Sequence, residues 1–152
     1  QSKYMEGITH VIFTGPIDEY FKASGLEKLE YRSIDFGEYI YKDMNFFQPN
    51  SVVNYPNEAQ FTRIVEYKHF LNQQSPHTII HTEKTKDEGD PYYPVPNKRN
   101  LELYEKYKEL AKNEEKNNVY FLGRLANYKY FNMDAAIENA LDFFDKKLRF
   151  GF

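Results

Sequence analysis

Three stretches of this 152-residue chain combine residue types that bind anions. The first is Phe61-Thr62-Arg63-Ile64-Val65-Glu66-Tyr67-Lys68-His69-Phe70. As a strand it puts Arg63, Val65 and Tyr67 on one face and Ile64, Glu66 and Lys68 on the other. Arg63 carries a planar donor fork that suits phosphate. A solvated face on which Glu66 and Lys68 balance charge accounts for the same pattern. The second stretch is Gly89-Asp90-Pro91-Tyr92-Tyr93-Pro94-Val95. Prolines on both sides stiffen Tyr92 and Tyr93 and fix the direction of two good hydroxyl donors. An aromatic loop packed on the core is the alternative. The third runs from Phe121 through Gly123-Arg124 and the tyrosine-rich Tyr128-Lys129-Tyr130 to Asn132-Met133-Asp134. Gly123 permits close backbone approach, and the start of the following helix offers unpaired N–H groups to an anion. An ordinary strand-to-helix connection has the same composition.

Other chemistries find less support. The seven glycines form no G-x-G-x-x-G and no P-loop, and there is no G-x-S-x-G element. His10, His69, His77 and His81 lack metal-ligand spacing, so no metal site is expected. Asp18-Glu19 and Asp87-Glu88 are paired carboxylates in loop or helix-start contexts, a weak basis for acid–base work. There is no cysteine, which excludes disulfides and thiolate chemistry. A net charge of -3 argues against nucleic acid as a partner. No apolar run reaches the ~20 residues that span a bilayer, no signal peptide is visible, and a cytoplasmic location is expected. The 14 Tyr and 13 Phe imply either a cleft lined with rings or a surface that packs on polypeptide.

The elements that must position these stretches follow from local pattern. Short strands are expected over 9–14, 29–36, 51–55, 61–67 and 78–84, with a further short strand or turn at 38–41. Pro16 opens a short helix over 17–23 that Gly25 closes, and Pro56-Asn57 ends the third strand. After the polar loop 87–96, Asn97 caps a helix to about Asn113 and Asn117-Asn118 ends it. A buried strand follows at 119–122, then a last helix from Asn132 or Asp134 to about Lys147, with Ile137, Leu141 and Phe144 on one face. Strands first and helices later mean an α+β fold with a mainly antiparallel sheet. The division expected is a sheet portion over 1–96 and a helix-strand-helix portion over 97–152.

The three stretches, in this order, resemble UDP-galactopyranose mutases. So do Phe13-Thr14-Gly15-Pro16-Ile17-Asp18-Glu19-Tyr20-Phe21, Leu29-Glu30-Tyr31-Arg32-Ser33 and Val52-Val53-Asn54-Tyr55. The resemblance runs from about Thr9 to Leu141. It implies the C-terminal portion of a larger polypeptide, lacking the N-terminal dinucleotide motif. The sheet portion would lie on the substrate side, and the C-terminal strand and helix would return to complete a FAD-binding domain. The activity implied for the parent is the isomerisation of UDP-galactopyranose to UDP-galactofuranose, a step toward cell-surface polysaccharide. The nucleophile would be reduced FAD, which leaves orientation and electrostatics to the protein.

By the same resemblance Arg63 is the catalytic arginine that contacts the diphosphate. Tyr92, Tyr93, Tyr130 and Asn132 would bind substrate, and Gly123, Arg124, Tyr130 and Met133 would contact FAD. Asn132 stands where the family usually carries Asp. Implied partners are UDP-galactose, the missing N-terminal part and, through the aromatic-rich ending Arg149–Phe152, a second copy. The chain by itself is expected to be inactive and not to retain FAD. A non-catalytic module binding a nucleotide sugar or a protein is the rival reading.

Overall fold

The computed structural model describes residues 9–56 and 59–149. In chain order its elements are β1 (Val11–Phe13), α1 (Ile17–Tyr20), β2 (Tyr31–Tyr41), β3 (Val52–Asn54), β4 (Arg63–Glu66), β5 (Thr78–Lys86), β6 (Tyr93–Pro94), α2 (Lys98–Glu114), β7 (Val119–Phe121) and α3 (Met133–Phe143). The expected α+β class holds. Two compact units are present, residues 1–31 with 91–152, and residues 32–90. That division departs from a boundary at 96/97. The reason is β1, which pairs in parallel with β7 from Val11↔Val119 to Phe13↔Phe121. Pairing across more than a hundred residues leaves no mark on local pattern. Asn57 and the ending Phe150-Gly151-Phe152 lie outside the described residues.

The unit over 32–90 is an antiparallel sheet in the order β3-β4-β5-β2. β2 is one continuous strand where a break before Glu38 was expected, because it pairs with β5 from Ser33↔Lys86 through Tyr41↔Thr78. Nor does β4 alternate. Ile64, Val65 and Glu66 are buried in succession, since β4 lies between two strands and the 46–48 segment closes over its end. Glu66 is fully buried. It accepts hydrogen bonds from the N–H groups of Phe47 and Gln48 at 3.0 Å each, from the Thr78 hydroxyl and from His69 Nε2 at 3.2 Å. Burial alone raises a carboxyl pKa, yet these donors together outweigh it and hold Glu66 below the usual glutamate value.

Lys68 is also buried. Its Nζ donates to the Asn45 and Ser75 carbonyls at 2.7 and 2.5 Å and lies 4.8 Å from the Phe46 ring centre. Glu66 and Lys68 therefore do not form the solvated, charge-balanced face that their alternation suggests. Each is an internal anchor that pins a loop to the sheet.

The unit over 1–31 and 91–152 has its core in Ile17, Leu29, Leu103, Tyr107, Ala111 and Tyr128. Asn97 caps α2 as expected, its side chain accepting from Asn100 N–H at 2.9 Å. Leu103, Tyr107 and Ala111 recur at helical spacing and form the buried stripe of α2. α1 is shorter than expected. It stops at Tyr20 and passes through a 3-10 turn into Gly25, whose φ of 77° supplies the left-handed close. Asp18 is buried and accepts from Tyr31 Oη at 2.9 Å and Leu29 N–H at 3.3 Å. It is a structural acceptor here. Burial, then the Asp18 charge and its hydrogen bond, push the Tyr31 phenol far above the ordinary tyrosine value.

α3 differs from every other long element. None of its residues is buried. Met133, Ile137, Leu141 and, just beyond its end, Phe144 lie exposed at helical spacing. Its last turn widens into a π turn, Phe144–Leu148, in place of the straight continuation to Lys147.

Candidate functional site

Arg124 leaves the end of β7 through Gly123. The φ of Gly123 is 91°, a backbone that side chains rarely adopt. A turn bonded within itself follows. Asn127 N–H donates to the Gly123 carbonyl at 2.8 Å, and Lys129 N–H to the Arg124 carbonyl at 3.0 Å. Asn127 closes the turn from both sides, its Oδ1 accepting from Gly123 N–H at 3.1 Å and its Nδ2 donating to the Phe121 carbonyl at 3.1 Å. Asn139, one helix later, accepts from the same Gly123 N–H at 3.3 Å.

The turn aims the Arg124 guanidinium against a stacked pair of rings. It lies 4.8 Å from the Tyr93 ring centre and 5.2 Å from that of Tyr130. Those rings stand 5.8 Å apart and within 18° of parallel. Nε and Nη2 both donate to the Phe131 carbonyl, at 3.2 and 2.5 Å. Among the described residues no carboxylate pairs with this cation. The result is a half-buried positive charge steadied by π faces, with part of its donor fork uncommitted. Cation–π contacts of this kind contribute about 0.5–2 kcal/mol each. They hold the guanidinium without cancelling its charge, so an anion remains its natural partner.

The site residues expected from sequence divide accordingly. Tyr93, Arg124 and Tyr130 are brought together, with Gly123 as the hinge that delivers the arginine. Tyr92 is exposed beside them in the chain. Asn132 sits at the cap of α3, but its side chain makes no capping bond, and Met133 is 84% exposed. Arg63 belongs to the other unit and meets a different fate. On β4 it stands directly opposite Glu83 of β5, and its Nε and Nη2 contact Glu83 Oε2 at 2.6 and 2.5 Å. Asn127, Tyr128 and the Phe131 carbonyl hold the site and are not singled out by sequence. An asparagine four residues after a glycine is a fair signal for Asn127, whereas nothing local marks Tyr128.

An apolar groove of about 390 Å³ runs beside Gly123, lined among others by Ile12, Thr14, Leu122, Ala136 and Ala140. A Cβ added at Gly123 would meet only the Thr14 side chain at 4.0 Å, so the backbone there is open to close approach. Among the described residues no group of three or more His, Asp or Glu could hold a metal ion. Likewise, among them no helix is long and apolar enough to cross a membrane.

Comparison with known proteins gives a consistent result. The family model GLF, UDP-galactopyranose mutase, matches residues 1–130. The chain is 34% identical over 148 residues to a probable UDP-galactopyranose mutase of Klebsiella pneumoniae, covering 94% of this chain and 37% of that protein. It is 33% identical over 138 residues to a dTDP-fucopyranose mutase of Escherichia coli, covering 88% and 36%. It is 37% identical over 136 residues to a UDP-galactopyranose mutase of Mycoplasma genitalium, covering 84% and 33%. The chain thus spans about a third of the length of the curated relatives it matches.

Proposed function

Since the chain belongs to the UDP-galactopyranose mutase family, we propose that it is part of an isomerase that interconverts UDP-galactopyranose and UDP-galactofuranose. Within it, this segment binds the diphosphate through Arg124, Tyr93 and Tyr130. The observation that carries the reading is the Arg124 guanidinium, held against two stacked tyrosine rings with no carboxylate beside it among the described residues. Breaking the bond between sugar and UDP places negative charge on the diphosphate oxygens. A pre-set cation with two phenols beside it stabilises that charge as it develops.

Arg63 is assigned a second contact to the leaving group, at reduced field because Glu83 offsets its charge. Tyr92 and Asn132 are assigned to the sugar-nucleotide side. The residues fit a flavin: Gly123 leaves the backbone approachable, and the groove beside it is apolar. Gly123, Arg124, Tyr130 and the Met133 backbone would hold FAD, which when bound and reduced supplies the nucleophile. The exposed stripe of α3 and the open β1–β7 pair are surfaces for the remaining two thirds of the polypeptide, because a two-stranded parallel sheet is not stable uncovered. The reading carries a cytoplasmic location with it.

A second substrate, dTDP-fucose, is favoured by the relative of that name at nearly the same identity. Both nucleotide sugars present the same diphosphate. The test is the full-length polypeptide that contains this chain, purified with reduced flavin and offered each nucleotide sugar. Interconversion of either, weakened about 100-fold or more in binding by Arg124→Ala, is expected from the loss of charged hydrogen bonds. Unchanged binding in Arg124→Ala would overturn the reading.

A further inference from the structure

Tyr93 and the pair Arg124–Tyr130 come from segments about thirty residues apart, and the stack exists only if those segments keep register. A side chain that bridges the two segments is Tyr128, which is 2% exposed. Its phenol donates to the Glu30 carbonyl at 2.6 Å and lies 3.1 Å from the Val95 carbonyl. It also accepts from the Val95 N–H at 3.2 Å. Val95 is two residues from Tyr93, and Tyr128 is two from Tyr130 and four from Arg124. The ring is wedged edge-on against Tyr31 at 5.4 Å and stacked on Tyr104 at 5.7 Å.

The backbone of Tyr128 is left-handed, with φ of 45°. A bulky residue enters that region only where its surroundings over-determine it, and such positions cluster at functional sites. Here the left-handed residue turns the phenol inward while Lys129, the next residue, is exposed. Burial, against a hydrogen bond from Val95, pushes the phenol up to about 12. It therefore stays a neutral donor throughout the physiological range.

The geometry points to Tyr128 as a positioning residue. Its hydroxyl locks the Tyr93-Pro94-Val95 segment to the Gly123–Phe131 turn and so keeps Arg124 against the stacked Tyr93 and Tyr130 rings. The inference rests on the diphosphate reading for its role, but not for its geometry. Tyr107 provides a control. It is buried in the same core and its hydroxyl donates to the Glu27 carbonyl at 2.8 Å, away from the stack.

Nuclear magnetic resonance of the full-length polypeptide, with arginine selectively labelled, reads the stack directly, because two rings displace the Arg124 Hε resonance. In Tyr128→Phe that displacement is expected to fall by about half or more, whereas Tyr107→Phe loses similar stability and leaves it intact. An Arg124 signal unchanged in Tyr128→Phe overturns the inference. Should Tyr128→Phe not fold, warming the unaltered full-length polypeptide asks the same question. The Arg124 displacement and the protection of the Val95 amide should then vanish in one step, and loss of the first while the second persists overturns it.

In the full-length polypeptide, Tyr128→Phe should raise KM for the nucleotide sugar about tenfold with a smaller change in kcat. It should add little to Arg124→Lys, since both act through one group; additive losses would mean a purely structural role. If the stack collapses in Tyr128→Phe while Arg124→Ala binds normally, the diphosphate reading falls and the positioning stands.

Discussion

Two arginines, one in each unit, illustrate how surroundings decide what a residue type does. Arg63 projects from a central strand straight onto Glu83, and the pair is close to neutral. Arg124 projects from a turn onto a stacked pair of rings and meets no carboxylate among the described residues. The sheet unit satisfies its buried Glu66 and Lys68 internally, Glu66 with four donors and Lys68 with backbone carbonyls. In the other unit the turn at Gly123 is bonded within itself and leaves Arg124 with no carboxylate partner among the described residues. The difference teaches that the site is found where the accounting stays open, because an unmatched, preorganised charge is what a charged ligand recognises.

The sharpest way to break this comparison is at Glu66. Glu66→Gln keeps the shape but turns an amide N–H₂ against N–H donors, and should cost the sheet unit roughly 3 kcal/mol by urea unfolding at neutral pH. The pH dependence has a definite sign. The folded pKa of Glu66 lies below the unfolded value, which is about 4.3. Its contribution is therefore complete above that value and is lost as pH falls through the lowered folded pKa. The substituted chain should show a flatter acid limb. An identical acid limb would mean that Glu66 is not the group responsible.

A smaller effect is expected at Arg63. Arg63→Ala strips the partner from a carboxylate whose side chain is 9% exposed, and should lower stability by about 2 kcal/mol. Adding Glu83→Gln should recover much of that loss, which the midpoint of denaturant unfolding would show. Strict additivity would dissolve the contrast with Arg124, whose removal strands no carboxylate.

The least effect belongs to Tyr93→Phe, which keeps the ring under Arg124 and removes only a hydroxyl. Nucleotide-sugar binding by the full-length polypeptide should weaken about fivefold, roughly 1 kcal/mol, with the fold unchanged. A loss as large as that of Arg124→Ala would move the centre of the site from the cation to the phenol.

Much of the fold is legible in the chain. Asn97 before a periodic apolar run, Gly25 after a short helix and the strand signal over 78–84 each state a local preference that the structure obeys. Arg124, Tyr93 and Tyr130 are singled out by type and flanking residues, and they do meet. Tyr128 is not legible, since its left-handed backbone and its bonds to Glu30 and Val95 come from distant packing. Nor is the burial of Glu66 and Lys68 visible, because their alternation reads as one solvated face.

The sequence by itself determined the class of elements, their order, the caps and the aromatic-cationic vocabulary of the site, all of which depend on neighbours within a few residues. Only the tertiary structure decided which arginine is neutralised, that β1 joins β7, and that Tyr93 stacks on Tyr130. Those outcomes depend on which strand lies opposite and which segment closes over the core. Such pairings are set by burial and hydrogen-bond satisfaction across the whole unit, and no local window of sequence contains them.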